Sequence, residues 1–239
     1  MASVTVPFTN GKGGVGKTAL ACSYAVARAK LGADVVLMDV NDEQRTALAW
    51  SQVREHNSLL PKIRVEAGNP RQALELIGRH DVLIIDTPGW TDKSTLAIAR
   101  KSTFMVIPTG PNPTYELGPT VRLLHGLRAE GLEAWRFGVV LSRFSADDKP
   151  RREEEQFARA YLAEAGYSAL DGCIRNATAY NSALAEGYGM TEISGAALLA
   201  DATQMMDAIT KGVTGAERRI NRLTTKTREQ DRDRGGRDE

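Results

Sequence analysis

The chain is poor in cysteine, has no long apolar run and carries no net excess of either charge. Its two cysteines, Cys22 and Cys173, lie far apart and form no C-x-x-C pair. That spacing excludes a disulfide framework and argues against zinc or iron–sulfur thiolate sites. No apolar stretch approaches the roughly 20 residues needed to cross a bilayer. The first residues lack the basic-then-apolar pattern of a secretory signal. A cytoplasmic setting is expected. Lysine and arginine number 31 against 30 aspartates and glutamates, so any nucleic-acid site must come from local clustering. The three histidines, His56, His80 and His125, are scattered without ligand spacing. No serine or cysteine nucleophile pattern is present.

What is there is an alternation of strand-like and helix-like segments. Strands are predicted at Val4–Phe8, Val35–Asp39, Ile63–Ala67, Val82–Asp86, Thr103–Pro108 and Phe137–Ser142, with a further one near Cys173–Arg175. Val82–Asp86 is apolar up to its last residue, as befits a parallel strand covered on both faces. Pro7 is out of place in a central strand, because proline gives no ladder donor. Helices are predicted at Thr18–Leu31, Thr46–His56, Thr91–Arg100, Tyr115–Glu130, Asp148–Ala165, Ala177–Glu186 and Ala196–Lys211. Another opens at Asn69-Pro70, an N-cap followed by proline at the first helical position, and runs to about Arg79. The order implies an α/β fold, a doubly wound, mostly parallel sheet flanked by helices. It divides the chain into a domain over 1–211 and a charged tail over 212–239. The tail's last part, Arg228–Glu239, lacks apolar residues and is expected to be disordered.

The chemistry centres on Gly11-Lys12-Gly13-Gly14-Val15-Gly16-Lys17-Thr18, which fits the phosphate-loop pattern G-x-x-x-x-G-K-[ST]. Glycines let the backbone amides turn inward onto phosphate oxygens. Lys17 reaches the β- and γ-phosphates in such loops, the Thr18 hydroxyl ligates Mg²⁺, and the following helix directs its positive end at the anion. Asp86, closing an apolar strand ahead of Thr87-Pro88-Gly89, suits the carboxylate that holds Mg²⁺ beside the phosphates. None of this requires Lys12.

With that second lysine, Lys12-Gly13-Gly14-Val15-Gly16-Lys17-Thr18 resembles the deviant Walker A motif of the ParA/MinD ATPases. Val82–Gly89, Met105–Thr109 and Ile174-Arg175 with Ala177–Gly187 resemble later family segments, so the likeness spans roughly residues 1–210. It implies a P-loop NTPase fold, ATP and Mg²⁺ as cofactors, and a nucleotide-sandwich homodimer formed on ATP binding. In that dimer Lys12 contacts the partner's ATP, which gives Lys12 its reason. Nucleotide contacts are expected from Gly11 to Ala19 and at Ser142 and Arg175. Mg²⁺ is expected at Thr18, Asp39 and Asp86, and catalytic roles at Lys12, Lys17, Asp39, Asn41 and Asp42.

The family usually carries Asp-x-Asp after the second strand, whereas this chain reads Asp39-Val40-Asn41. An amide can orient a water but cannot take its proton. Slow ATP hydrolysis is therefore expected, with Asp42 as a substitute carboxylate. The resemblance further implies plasmid segregation, non-specific DNA binding on the nucleoid and a plasmid-encoded, site-binding partner protein. The Asp39…Arg45…Trp50 stretch is similar to VirC- and Stb-type ATPases of DNA transfer. Candidate DNA contacts are Arg143, Arg175, Arg218, Arg219 and Arg222. A MinD-like membrane role is the alternative; the tail offers only Ile220 and Leu223 as its apolar face, so no membrane partner is expected.

Overall fold

The computed structural model describes residues 3–41, 44–88 and 93–235, with backbone alone at 93–94 and 227–235. Seven parallel strands form one sheet: β1 (Val4–Phe8), β2 (Val35–Asp39), β3 (Arg64–Ala67), β4 (Val82–Asp86), β5 (Met105–Thr109), β6 (Phe137–Phe144) and β7 (Ile174–Arg175). Their order is β3-β2-β4-β1-β5-β6-β7. The helices are α1 (Lys17–Lys30), α2 (Thr46–His56), α3 (Pro70–Leu76), α4 (Lys93–Lys101), α5 (Gly118–Ala129), α6 (Asp148–Glu164), α7 (Thr178–Ala185) and α8 (Ala196–Gly235).

The period-two alternation of each strand assigns its side chains to opposite faces. Val6, Phe8, Leu37, Ile84 and Val106 pack on one side against Leu20 and Tyr24 of α1 and Met205 and Ile209 of α8. On the other side Val36, Met38, Leu83 and Ile85 meet Ala73 of α3 and Ile98 of α4. Met105, Ile107, Val139 and Leu141 meet Leu124 and Leu127 of α5 and Leu162 of α6. Burial on both faces is why these strands read as continuous apolar runs.

Pro7 is accommodated by a one-sided ladder. Thr9 N–H donates to the Val106 carbonyl, and the Thr5 carbonyl accepts from Phe104 N–H, so alternate residues of β1 face β5. Pro7 lies between them and faces the same way, where it has no hydrogen to give. The β4 ladder runs from Val4 to Phe8, while the β5 ladder holds the single registered pair Phe8–Val106.

Asn69 caps α3 as the sequence predicts. Its side chain accepts from the Arg71 and Gln72 amides, and Gln72 returns a bond to Asn69 N–H. The helix expected from Tyr115 instead starts as a π turn at Pro113–Leu117, capped by Asn112.

The expected boundary at 211 is not a structural one. α8 runs on through Gly235, including most of the segment expected to be disordered. Val213 and Ala216 remain buried in the core, which anchors the next turns. A Cβ at Gly212 would lie 2.6 Å from the Phe104 ring, so this glycine is a close-packing residue within a helix and not a stop. Thr224 and Thr225 donate to the carbonyls four residues back.

Candidate nucleotide site

The glycine loop leaves β1 at the point where the neighbouring strands diverge, β4 to one side and β5 to the other. Such switch points are where open α/β sheets bind ligands. Gly14 and Gly16 have φ of 77° and 91°, a left-handed backbone that only glycine adopts without strain. A Cβ on Gly16 would also lie 2.9 Å from Ser142 Oγ. The N-cap residue of α1, Gly16, offers no side-chain cap, so the helix's first amides and its dipole face the loop. Lys17 is buried and donates from Nζ to the Lys12 carbonyl at 3.1 Å. Burial lowers its pKa, with the Asp86 charge opposing.

Asp39 and Asp86 end β2 and β4 as a registered pair, and both are buried. Thr18 Oγ1 donates to Asp86 Oδ2 at 2.6 Å, while Asp86 Oδ1 has no partner among the described residues. Burial raises the Asp86 carboxyl to about 7; the Thr18 hydrogen bond and Lys17 hold it down and Asp39 pushes it further up. A buried carboxylate with one orphaned oxygen beside a hydroxyl suits a hard cation, so Thr18 and Asp86 would hold Mg²⁺, which would screen phosphate charge there.

Asp39 has other employment. Its Oδ1 accepts from Asn41 N–H, and its Oδ2 from Ala47 and Leu48 N–H at 2.9 and 3.2 Å. It thus caps α2, whose own N-cap residue, Arg45, makes no side-chain cap bond. Any contact to Mg²⁺ must be shared with these amides. Asn41 lines the cleft and its Nδ2 meets Gln44 Oε1 at 3.3 Å. Asp42 lies outside the described residues.

A cleft of about 760 Å³ opens from the loop, a size suited to a nucleotide. Gly13, Gly14, Gly16, Lys17, Thr18 and Ala19 line one end, with Ser142, Arg143 and Arg175 alongside. Its far walls are Ala49, Trp50 and Val53 of α2 and Tyr180, Asn181 and Leu184 of α7. Lys12 is exposed and lies outside this lining. A clamp fixes the α2 wall. Trp50 Nε1, Arg54 Nη1 and Asn57 Nδ2 donate to the successive carbonyls of Tyr188, Gly187 and Glu186. Buried Arg54 also pairs with Glu192, which Lys30 bridges. Sequence reasoning missed the clamp because its partners are some 130 residues apart; the helical spacing of 50, 54 and 57 was its only signal.

Residues 6–189 match the family profile described as the CobQ/CobB/MinD/ParA nucleotide binding domain. The chain belongs to this family. It is 30% identical over 193 residues to the Maintenance of carboxysome distribution protein A of Gloeobacter kilaueensis, covering 80% of this chain and 85% of that protein. Among solved structures it resembles a Borrelia burgdorferi plasmid partition protein bound to AMPPNP, with TM-score 0.67 and 14% identity, over 87% of this chain and 99% of the other. The Pyrococcus horikoshii septum site-determining protein MinD with Mg-ADP gives 0.65 and 15%, over 87% and 96%. The Cyanothece McdA–ATP complex gives 0.65 and 15%, over 87% and 97%. At these identities the structural likeness establishes the fold. Family membership makes the chain a P-loop ATPase of the ParA/MinD type.

Of the nucleotide residues expected from the sequence, the cleft is lined by Gly13, Gly14, Gly16, Lys17, Thr18, Ala19, Ser142 and Arg175 and not by Gly11, Lys12 or Val15, while the basic residues are dispersed. Ser142 and Arg175 both reach the cleft. Arg143 instead adopts a φ of 64° and donates to the Gly14 carbonyl, bracing the loop. Arg175 sits between Asp201 at 2.6 Å and Asp148 at 3.2 Å, its charge already matched. Arg218, Arg219 and Arg222 lie along α8, with Arg219 over the Trp135 ring at 5.6 Å. Both cysteines are buried, and burial raises both thiols, the reverse of thiolate character. Among the described residues no helix is long and apolar enough to cross a membrane.

Proposed function

We propose that this chain is an ATP-dependent assembly switch acting in plasmid segregation. ATP with Mg²⁺ occupies the cleft, two subunits close over it, and Lys12 of each contacts the other's phosphates. The observation that carries this is the placement of Lys12: exposed, outside its own cleft, and with no acid in ion-pair contact among the described residues. A cation so placed neutralises phosphate only when a second subunit arrives, so ATP favours the dimer by binding it better.

DNA association then falls to Arg218, Arg219 and Arg222 of α8, because Arg143 and Arg175 are engaged elsewhere. It is sequence-independent and weakens steeply with salt. A site-binding partner protein triggers release, and hydrolysis is slow because Asn41 stands where a carboxylate would order the attacking water. The plasmid as cargo follows from the likeness of the Lys12–Thr18 loop and its later segments to ParA-type ATPases.

Light-scattering mass measurement with ATP, ADP and no nucleotide tests the switch. A dimer with ATP that Lys12→Ala prevents is the expected result. A monomer under every condition overturns the reading.

A further inference from the structure

Beneath the glycine loop lies a residue that neither phosphate-binding motif contains. Asn10 is 1% exposed. Its Oδ1 accepts the Lys12 N–H at 3.0 Å, and its Nδ2 donates to the Pro108 carbonyl at 2.7 Å and to Thr120 Oγ1 at 3.0 Å. Thr120, also buried, donates onward to Thr109 Oγ1 at 3.0 Å. The amide is therefore pinned to the end of β5 and the first turn of α5. Its orientation is set by chemistry, since only the nitrogen can donate to a carbonyl.

Lys12 is consequently held at both ends of its backbone. Asn10 takes its N–H, and the Lys17 ammonium takes its carbonyl. These two restraints differ in what phosphate does to them. Lys17 is the group that phosphate recruits, so phosphate competes for the ammonium that holds the Lys12 carbonyl. The Asn10 bond is made by a neutral, buried group with no phosphate contact to gain.

We propose that Asn10 is a positioning residue for Lys12. It keeps the Lys12 backbone in place while phosphate competes for Lys17, so that the exposed lysine is already ordered when a second subunit closes. This rests on the reading of Lys12 as the lysine that acts across the dimer. Ordering a free backbone residue opposes association, and a loop pre-ordered by Asn10 avoids that cost at dimerisation. Nucleotide affinity within one subunit does not depend on it.

The test measures two quantities on the full chain: affinity for a fluorescent ATP analogue, and the dimer dissociation constant with ATP and Mg²⁺ by sedimentation. Asn10→Ala is expected to bind nucleotide within about threefold of wild type and to dimerise about tenfold more weakly, the scale of one backbone residue's lost order. Thr120→Val, which keeps the shape and removes one anchor of the amide, should weaken dimerisation in the same direction; it carries the test if Asn10→Ala does not fold.

Wild-type dimerisation by a folded Asn10→Ala overturns the inference, as does an equal loss of nucleotide affinity. Normal dimerisation by Lys12→Ala overturns the underlying reading. If Asn10→Ala is defective in that event, Asn10 does not act through Lys12 and the inference also fails.

Discussion

The two ends of the nucleotide cleft treat their buried polar groups in opposite ways. At the phosphate end Asp86 Oδ1 and Ser142 Oγ are buried without partners among the described residues. At the far end Trp50, Arg54 and Asn57 each donate to a backbone carbonyl, and Arg54 uses all three of its nitrogens. A buried polar atom left open costs stability, and the two open atoms at this end lie where a phosphate and its cation would complete them. A fully paired one is scaffold. The contrast separates the ligand-binding end from the framework end without reference to any motif.

The sharpest break comes from opening the framework end. Arg54→Ala leaves the half-buried Glu192 with Lys30 and the Gly189 amide alone and frees the Gly187 and Pro61 carbonyls. A loss of about 3–5 kcal/mol is expected, in the range for a broken buried pair, read as a lower urea midpoint. A change below about 1 kcal/mol would show the clamp to be ornamental.

Relieving the phosphate end should do the reverse. The folded Asp86 carboxyl titrates near 7, against 3.8 for the ordinary group. The folded state therefore holds its proton more tightly, and stability falls as pH rises from about 4 to 7. Asp86→Asn removes that penalty. Without nucleotide it should melt like wild type below about pH 4. At pH 8 it should be more stable by a few kcal/mol, since each pH unit separating the folded from the unfolded titration is worth about 1.4 kcal/mol. It should also lose Mg²⁺-dependent nucleotide binding. Equal melting at pH 8, or an advantage that shrinks as pH rises, contradicts the assignment.

Smaller substitutions refine the contrast. Trp50→Phe keeps a ring on the wall but orphans the Tyr188 carbonyl, for an expected loss of about 1 kcal/mol in chemical denaturation. If Asn41 stands where the proposed function puts it, Asn41→Asp should raise ATP turnover about threefold, a barrier lower by roughly 0.7 kcal/mol. Unchanged phosphate release would mean that Asn41 does not limit the reaction.

Much of this was legible in the sequence because it is written in local pattern. The apolar runs ending in Asp39 and Asp86 announce buried parallel strands, and the glycine loop announces the phosphate end. Asn69-Pro70 announces a capped helix. What escaped is what depends on distant partners. Asp39 reads as a metal ligand until α2 folds back onto it and presents Ala47 and Leu48. The helix ending at Lys211 reads as complete until Phe104 is seen beneath Gly212. Asn10 looks like an ordinary loop residue because its anchors, Pro108 and Thr120, lie on another strand and helix. Composition also misjudged the tail, since charged residues with good helix propensity can extend a helix that the core has already nucleated.

Proline in β1 has a mechanical consequence. The sheet is stitched along all of β1 on the β4 side and at one registered pair on the β5 side. The line between β1 and β5 is thus the more lightly laddered side of β1. That line leaves one panel carrying Asp39, Asp86 and the root of the glycine loop, and another carrying Ser142 and Arg143. The cleft straddles that line, so a nucleotide seated there acts as a rivet between the two panels.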